Sequence, residues 1–201
     1  IKGFLNQSDE YLNKIYHREE DINNVSHAIT DYLVKSNQLS LPLADQKILG
    51  SMFYVVNDIE RIGDHAENFA DYTKTELKHN TGLTGDAKEE IKKMYEAVSK
   101  LLKLSLESFM AQDGVNTQED KLAEIAALEA SIDKMERRYQ KHHIKRLAKG
   151  DCEPRAGLLF SDMLSELERI ADHSVNIAYS MSDEDEDEML AAENDALATN
   201  N

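Results

Sequence analysis

Apolar residues recur along this chain at spacings of three and four, the period of an amphipathic helix and not the alternation of a strand. In the last such segment Phe160, Leu164, Leu167, Ile170, Ala171, Ser174 and Ala178 share one side when each residue is turned by about 100°. The segment before it has its stripe at Ile125, Leu128, Ile132, Met135 and Tyr139. The pattern predicts helices over Ser8 to Lys35, from Pro42 onward, over Gly85 to Met110, over Thr117 to Lys149 and from Pro154 onward, with a loop at Asn80 to Thr84. The two prolines sit where a first-turn proline starts a helix, and Gly150 stands where a helix ends. With so few breakers in a sequence rich in Leu, Ala, Glu, Lys, Ile and Met, the chain reads as all-α.

The pattern is also duplicated. Asp58-Ile59-Glu60-Arg61-Ile62-Gly63-Asp64-His65-Ala66-Glu67-Asn68-Phe69-Ala70 matches Glu166-Leu167-Glu168-Arg169-Ile170-Ala171-Asp172-His173-Ser174-Val175-Asn176-Ile177-Ala178 at a constant offset, with Glu, Arg, Ile, Asp, His, Asn and Ala identical. Asp45 and Glu153 stand equally far before the two copies, and an amphipathic helix precedes each proline. The expected units are residues 1–80, 85–181 and an acidic tail, 182–201. The second unit has three helices and the first only two, so the first lacks its leading helix. The tail is a like-charge run with no aromatic residue, a composition that predicts disorder.

The helical turn places Glu168, Asp172 and Asn176 on one ladder beside the apolar stripe, and Glu129 and Asp133 are displaced in the same rotational sense on the preceding helix. Two antiparallel helices joined by a short connection are related by a two-fold axis across their seam. Side chains offset the same way therefore emerge on the same side, and Glu129, Asp133, Glu168 and Asp172 should converge. The first unit repeats the construction with Glu19, Asn23, Glu60 and Asp64, one carboxylate having become an amide; Asn68 and Asn176 extend the set. Four carboxylates at a seam repel unless protons or cations intervene, and oxygen-only ligands suit hard cations such as Mg²⁺, Ca²⁺, Mn²⁺ or iron. No Glu-x-x-His of a ferritin-like di-iron helix occurs in either copy. Against this stands the ordinary role of such carboxylates as solvated surface charge.

Other residues carry less. Arg61 and Arg169 read as salt-bridge partners of carboxylates before anion ligands, His65 and His173 as packing or hydrogen-bonding residues, and Gly63 and Ala171 as sites of close helix approach.

Charge narrows the partners. The net charge is −16, of which the tail contributes −8 through Asp183 to Glu188, Glu193 and Asp195; the remaining −8 still disfavours nucleic acid and anionic membrane surfaces. The single cysteine, Cys152, fits a reducing compartment, the cytoplasm. The longest apolar run, Met52 to Val56, is far short of the ~18 residues that span a bilayer.

At the duplicated motif the chain resembles the PhoU family, whose repeat ends in a helix with Glu-Arg-Ile-Gly-Asp followed by Asn. Glu60-Arg61-Ile62-Gly63-Asp64 matches outright, and Glu168-Arg169-Ile170-Ala171-Asp172 differs at the small residue; the resemblance runs from about residue 8 to 181. It implies tandem antiparallel three-helix bundles that bind iron, zinc, manganese or magnesium through Glu129, Asp133, Glu168 and Asp172, and through Glu60 and Asp64, the Asn23 site being weaker. It implies no enzyme but a regulator of phosphate transport. The expected form is the cytoplasmic domain of a sodium/phosphate cotransporter, tethered to the membrane through a region ahead of Ile1. The second form is a stand-alone adaptor between a phosphate transporter and a sensor kinase. A second copy of the chain is a further expected partner. Two other classes remain on the residues alone, a carboxylate metalloenzyme acting on phosphoesters and a metal-free helical scaffold.

Overall fold

A computed structural model describes residues 1–79, 83–111 and 115–180. The expected acidic tail and most of the expected loop at Asn80 to Thr84 lie outside them. The elements run α1 (Lys2–Leu5), α2 (Leu12–Ser36), α3 (Leu43–His79), α4 (Gly85–Met110), α5 (Val115–Lys149) and α6 (Pro154–Tyr179). Among the described residues there is no strand, and no helix is long and apolar enough to cross a membrane.

The helix ends follow from local chemistry. The Thr84 hydroxyl caps α4 by accepting from the Ala87 amide (3.2 Å), and Pro154 occupies the first turn of α6, where its missing N–H is no loss. Pro42 falls one residue ahead of α3, and its carbonyl accepts from the Gln46 amide (3.0 Å). Gly150 ends α5 at φ 74°, with the Asp151 amide reaching back to the Arg146 carbonyl (2.9 Å) and the Gly150 amide to Leu147 (3.0 Å), a Schellman termination that favours glycine. The helix expected from Ser8 starts at Leu12 instead, because a turn intervenes in which the Ser8 hydroxyl accepts from the Glu10 amide.

Helices α4, α5 and α6 pack against one another as a three-helix bundle, and α2 packs on α3. The one-turn α1 lies against α3 and buries Phe4 completely. With α2 and α3 as helices of the first repeat and α4 to α6 as those of the second, the architecture is a tandem of helical bundles. The two motif helices α3 and α6 join them, and they run antiparallel, since Asp58 meets His173 while His65 meets Glu166. The main core lies between α4, α5 and α6 and is built on Ile91, Met94, Leu101, Ile125, Phe160 and Leu164, none of them exposed.

One close approach in that core is set by a glycine. The His143 ring is buried against Phe160 (5.3 Å between centroids), and a β-carbon at Gly157 would come within 2.6 Å of its Cε1 and 2.8 Å of its Nε2. Gly50, in α3, has nothing within 4 Å of the same position. Gly157→Ala should therefore cost about 1–3 kcal/mol through overpacking, whereas Gly50→Ala should gain about 0.5–1 kcal/mol. Thermal unfolding checks both: at ~2–4 °C per kcal/mol for a chain of this size the melting temperatures should move in opposite directions, and equal shifts would contradict the packing described.

Candidate functional site

The candidate site is the pair of carboxylate ladders, and the seam between α3 and α6 sets where they point. Each motif helix turns its His inward. The His65 Nδ1–H donates to Glu166 Oε2 (2.5 Å), and the His173 Nδ1–H donates to Asp58 Oδ1 (2.8 Å). The rings stack at 5.5 Å with planes 21° apart. Asp58 and Glu166 occupy equivalent positions of the two copies, as do the two histidines, so each repeat's carboxylate holds the other repeat's imidazole. Asp58, His65 and Glu166 are buried. Buried polar groups of this kind are tolerable only because each has a hydrogen-bond partner. Glu166 has several: Asn68 Nδ2 donates to Oε2 (3.0 Å), Tyr72 Oη to Oε1 (3.4 Å), and Arg169 stands 3.9 Å away. Burial, then the charges of Glu166 and Asp162, raises the Tyr72 phenol, which keeps it protonated and able to donate.

On the other side of α6 the second-repeat ladder lies along the α5/α6 seam. Burial and then Asp133 and Asp172 raise the Glu129 carboxyl; burial and then Asp172, Glu136 and Asp133 raise Glu168; burial and then Asp133 raise Asp172. The four side chains thus share one electrostatic neighbourhood across two helices, and Glu136, which the sequence did not single out, belongs to it. Asp133 also accepts from Arg137 NH2 on the next turn of α5 (2.7 Å).

The first-repeat ladder is different. Asn23 Nδ2 donates to Glu19, so the amide replaces a repulsion by a hydrogen bond, while Asn23 Oδ1 is buried without a partner. Glu60 is half-buried and Asp64 exposed. Glu67, also absent from the sequence prediction, is raised by burial and then by Glu19, Asp71 and Asp64. Asn68, expected to extend the ladder, points to Glu166 in the inter-repeat seam, because a residue four places beyond Asp64 has turned a further ~40° around the helix. Its counterpart Asn176 is exposed.

The donor chemistry of Glu129, Asp133, Glu168 and Asp172 fits a hard cation. Among the described residues no three His, Cys, Asp or Glu side chains are drawn together as a ligand group. Arg137 takes part of the cation's role at Asp133, and a metal there would have to displace it.

Two predictions follow from these contacts. Removing the Glu166 carboxylate strands His65, Asn68 and Tyr72 together, so Glu166→Ala should cost about 3 kcal/mol, a fall in melting temperature of about 6–12 °C; exposed Arg61→Ala should stay within about 0.5 kcal/mol, and equal effects would show that the seam does not rest on the pair. Second, Glu168 and Asp172 have folded-state pKa values above their unfolded ones, so ionising them costs native stability at neutral pH. As pH falls through the raised values toward the ordinary carboxylate range, the native state takes up protons first and stability rises; below that range nothing further changes. With chelator present, Asp172→Asn should therefore melt about 1 °C higher than wild type at pH 7, with the gap closing by about pH 4. A gap that persists at low pH would sink the repulsion argument.

Comparison with known proteins gives the same picture. The model of the PhoU domain matches residues 1–73 and 91–181. The phosphate-specific transport system accessory protein PhoU homolog 1 of Thermotoga maritima is 24% identical over 136 residues, 65% of this chain and 56% of that protein, so the chain spans about half the length of this curated relative. Among solved structures, PhoU from Pseudomonas aeruginosa superposes with a TM-score of 0.78 at 22% identity, covering 89% of this chain and 82% of that one. The phosphate transport system regulatory protein PhoU from Streptococcus pneumoniae gives 0.74 at 22%, covering 90% and 83%. These likenesses support the tandem helical fold.

Proposed function

The chain belongs to the PhoU family, and on that premise we propose that it acts as an accessory regulator of a phosphate transport system, a helical adaptor on the cytoplasmic side whose partner is the transporter. The observation that carries this reading is the match of the PhoU model to both repeats, joined to a relative named as an accessory protein of phosphate-specific transport. The stand-alone form is favoured over a cotransporter domain, since the relatives matched are themselves accessory and regulatory proteins. A sensor kinase and a second copy of the chain are further partners under this reading.

Metal enters as a proposal of the same kind. Glu129, Asp133, Glu168 and Asp172 would hold a divalent or multinuclear centre of iron, zinc, manganese or magnesium, with Glu60 and Asp64 as a weaker second place. When bound, the metal would supply charge that offsets the crowded carboxylates. This chain's own part is to hold Asp133 against Arg137 when that charge is missing and to exchange the guanidinium for the cation when it is present. The carboxylates would bind a cation once Arg137 gives way, and no Ser, Cys or His nucleophile stands among them, which supports regulation over catalysis.

The function is tested in cells lacking the gene by following uptake of labelled phosphate. The chain supplied as a separate polypeptide should restore regulated uptake; restoration only when it is fused to a membrane transporter domain would return the reading to the cotransporter form. The metal is tested by unfolding in chelator and then in added Mg²⁺, Mn²⁺, Fe²⁺ or Zn²⁺. A metal-dependent rise of at least several degrees, lost in Glu168→Gln/Asp172→Asn and enlarged in Arg137→Ala, is expected. No shift with any ion would leave a metal-free adaptor.

A further inference from the structure

Charge is split along α5. Residues 115–133 carry five carboxylates and one lysine, whereas residues 134–149 carry seven Lys or Arg and one carboxylate, Glu136, which belongs to the α5/α6 seam around Glu168. Two of the seven cations are paired, Arg137 with Asp133 (2.7 Å) and Arg146 with Glu90 (2.8 Å). The other five, Lys134, Arg138, Lys141, Lys145 and Lys149, are exposed, and none has an ion-pair partner among the described residues. On the neighbouring helix α4, by contrast, Lys93, Lys100 and Lys103 each stand beside a carboxylate.

At about 100° per residue the five cations fall within about 80° of the helix circumference and form a stripe about 22 Å long. Like charges three and four places apart on one face repel. The helix dipole favours cations in the last turn alone, so it accounts for Lys149 and its neighbours but not for Lys134, Arg138 and Lys141. An unpaired basic stripe on a chain of net charge −16 is a surface for an anionic segment.

This chain carries such a segment: residues 183–195 hold eight carboxylates and no basic residue. Helix α6 delivers it to the near end of the stripe. Tyr179 Oη donates to the Leu122 carbonyl (3.3 Å) and Gln140 Nε2 to Ser161 Oγ (3.0 Å), so α6 runs antiparallel to α5 and ends beside Leu122. Lys134 and Lys149 lie about 18 and 40 Å farther along α5. From Ser180 the chain spans up to about 28 Å to Glu188 and up to about 50 Å to Asp195, which brings carboxylates to both ends of the stripe. On that side of α5 the approach crosses Ala123, Ala127 and Ala130, and Glu124 at its edge is already held by Lys100 (2.9 Å).

We propose that Lys134, Arg138, Lys141, Lys145 and Lys149 form the docking surface of this chain's own acidic segment 183–195, laid along the exposed face of α5 in the direction of that helix. Docked there, the segment relieves the repulsion within the stripe and withholds it from acidic segments of other proteins until it is displaced.

The test compares the full chain with one ending at Ser180, by nuclear magnetic resonance of the backbone amides. Truncation should shift the amides of Lys134, Arg138, Lys141 and Lys145. A synthetic peptide of residues 182–201 added to the truncated chain should return them, with a dissociation constant rising at least several-fold between 50 and 500 mM salt. Arg138→Glu/Lys141→Glu changes two exposed side chains and should weaken the peptide at least fivefold. Lys92→Glu/Lys93→Glu, the same change of charge on the exposed face of α4, should weaken it less than twofold. Equal weakening by the two variants would show that the peptide answers to overall charge and would overturn the proposal. So would truncation shifts confined to the end of α6 and the residues around Leu122, or α5 shifts in the full chain that vanish on dilution and so come from a second copy.

Discussion

The antiparallel packing of α3 on α6 depends on two crossed histidine–carboxylate hydrogen bonds, and most of the rest of the structure follows from that seam. A buried carboxylate is tolerable only when its hydrogen-bond capacity is met, and here each repeat meets the need of the other: Glu166 takes His65, Asn68 and Tyr72, and Asp58 takes His173. Directional contacts of this kind fix the register of two long helices more tightly than the apolar area beside them, because a slip of one residue would bury charges without partners. The register in turn decides which way the remaining faces look. With the histidines turned inward, Glu168 and Asp172 are left toward α5.

The same inheritance has been used differently in the two halves. In the second, burial and then neighbouring carboxylates, Asp133 among them, raise Glu129, Glu168 and Asp172 along the α5/α6 seam, with Arg137 on Asp133 as partial compensation. In the first, Asn23 removes one charge and donates to Glu19, so the repulsion between carboxylates is smaller. The packing diverges in parallel. The α5/α6 seam belongs to a core built on Ile, Leu, Met and Phe, whereas α2 meets α3 through Leu12, Ser26 and Leu33 together with contacts such as Tyr16 to Asp71. Among the described residues only Leu12 and Leu33 of α2 are buried apolar side chains, so this seam rests less on apolar burial than the α5/α6 seam does.

Much of this was legible in the primary structure. Spacings of three and four named the helices, Pro154 and Gly150 their ends, and the duplication the tandem of bundles, because each of these is decided by residues within a few turns of one another. The reading of His65 and His173 as packing or hydrogen-bonding residues also holds, since both bond across the α3/α6 seam. Boundaries moved where a local turn outcompeted propensity, as at Ser8 to Tyr11, and Asn68 left its predicted face because the ladder drifts around the helix with distance.

What the sequence by itself determined is therefore the element list, the repeat and the acidic ladders, all properties of one helix or one short connection. The tertiary structure alone decided that Asp58 and Glu166, two carboxylates in the duplicated motif with no mark to set them apart, are the buried partners of histidines some hundred residues away. It also decided that Glu67 and Glu136 join the carboxylate groups and that Arg137 competes for Asp133. The physical reason is that burial and partnership are properties of two surfaces brought together: periodicity gives the direction in which a side chain leaves its own helix, and only the docked neighbour gives what it meets.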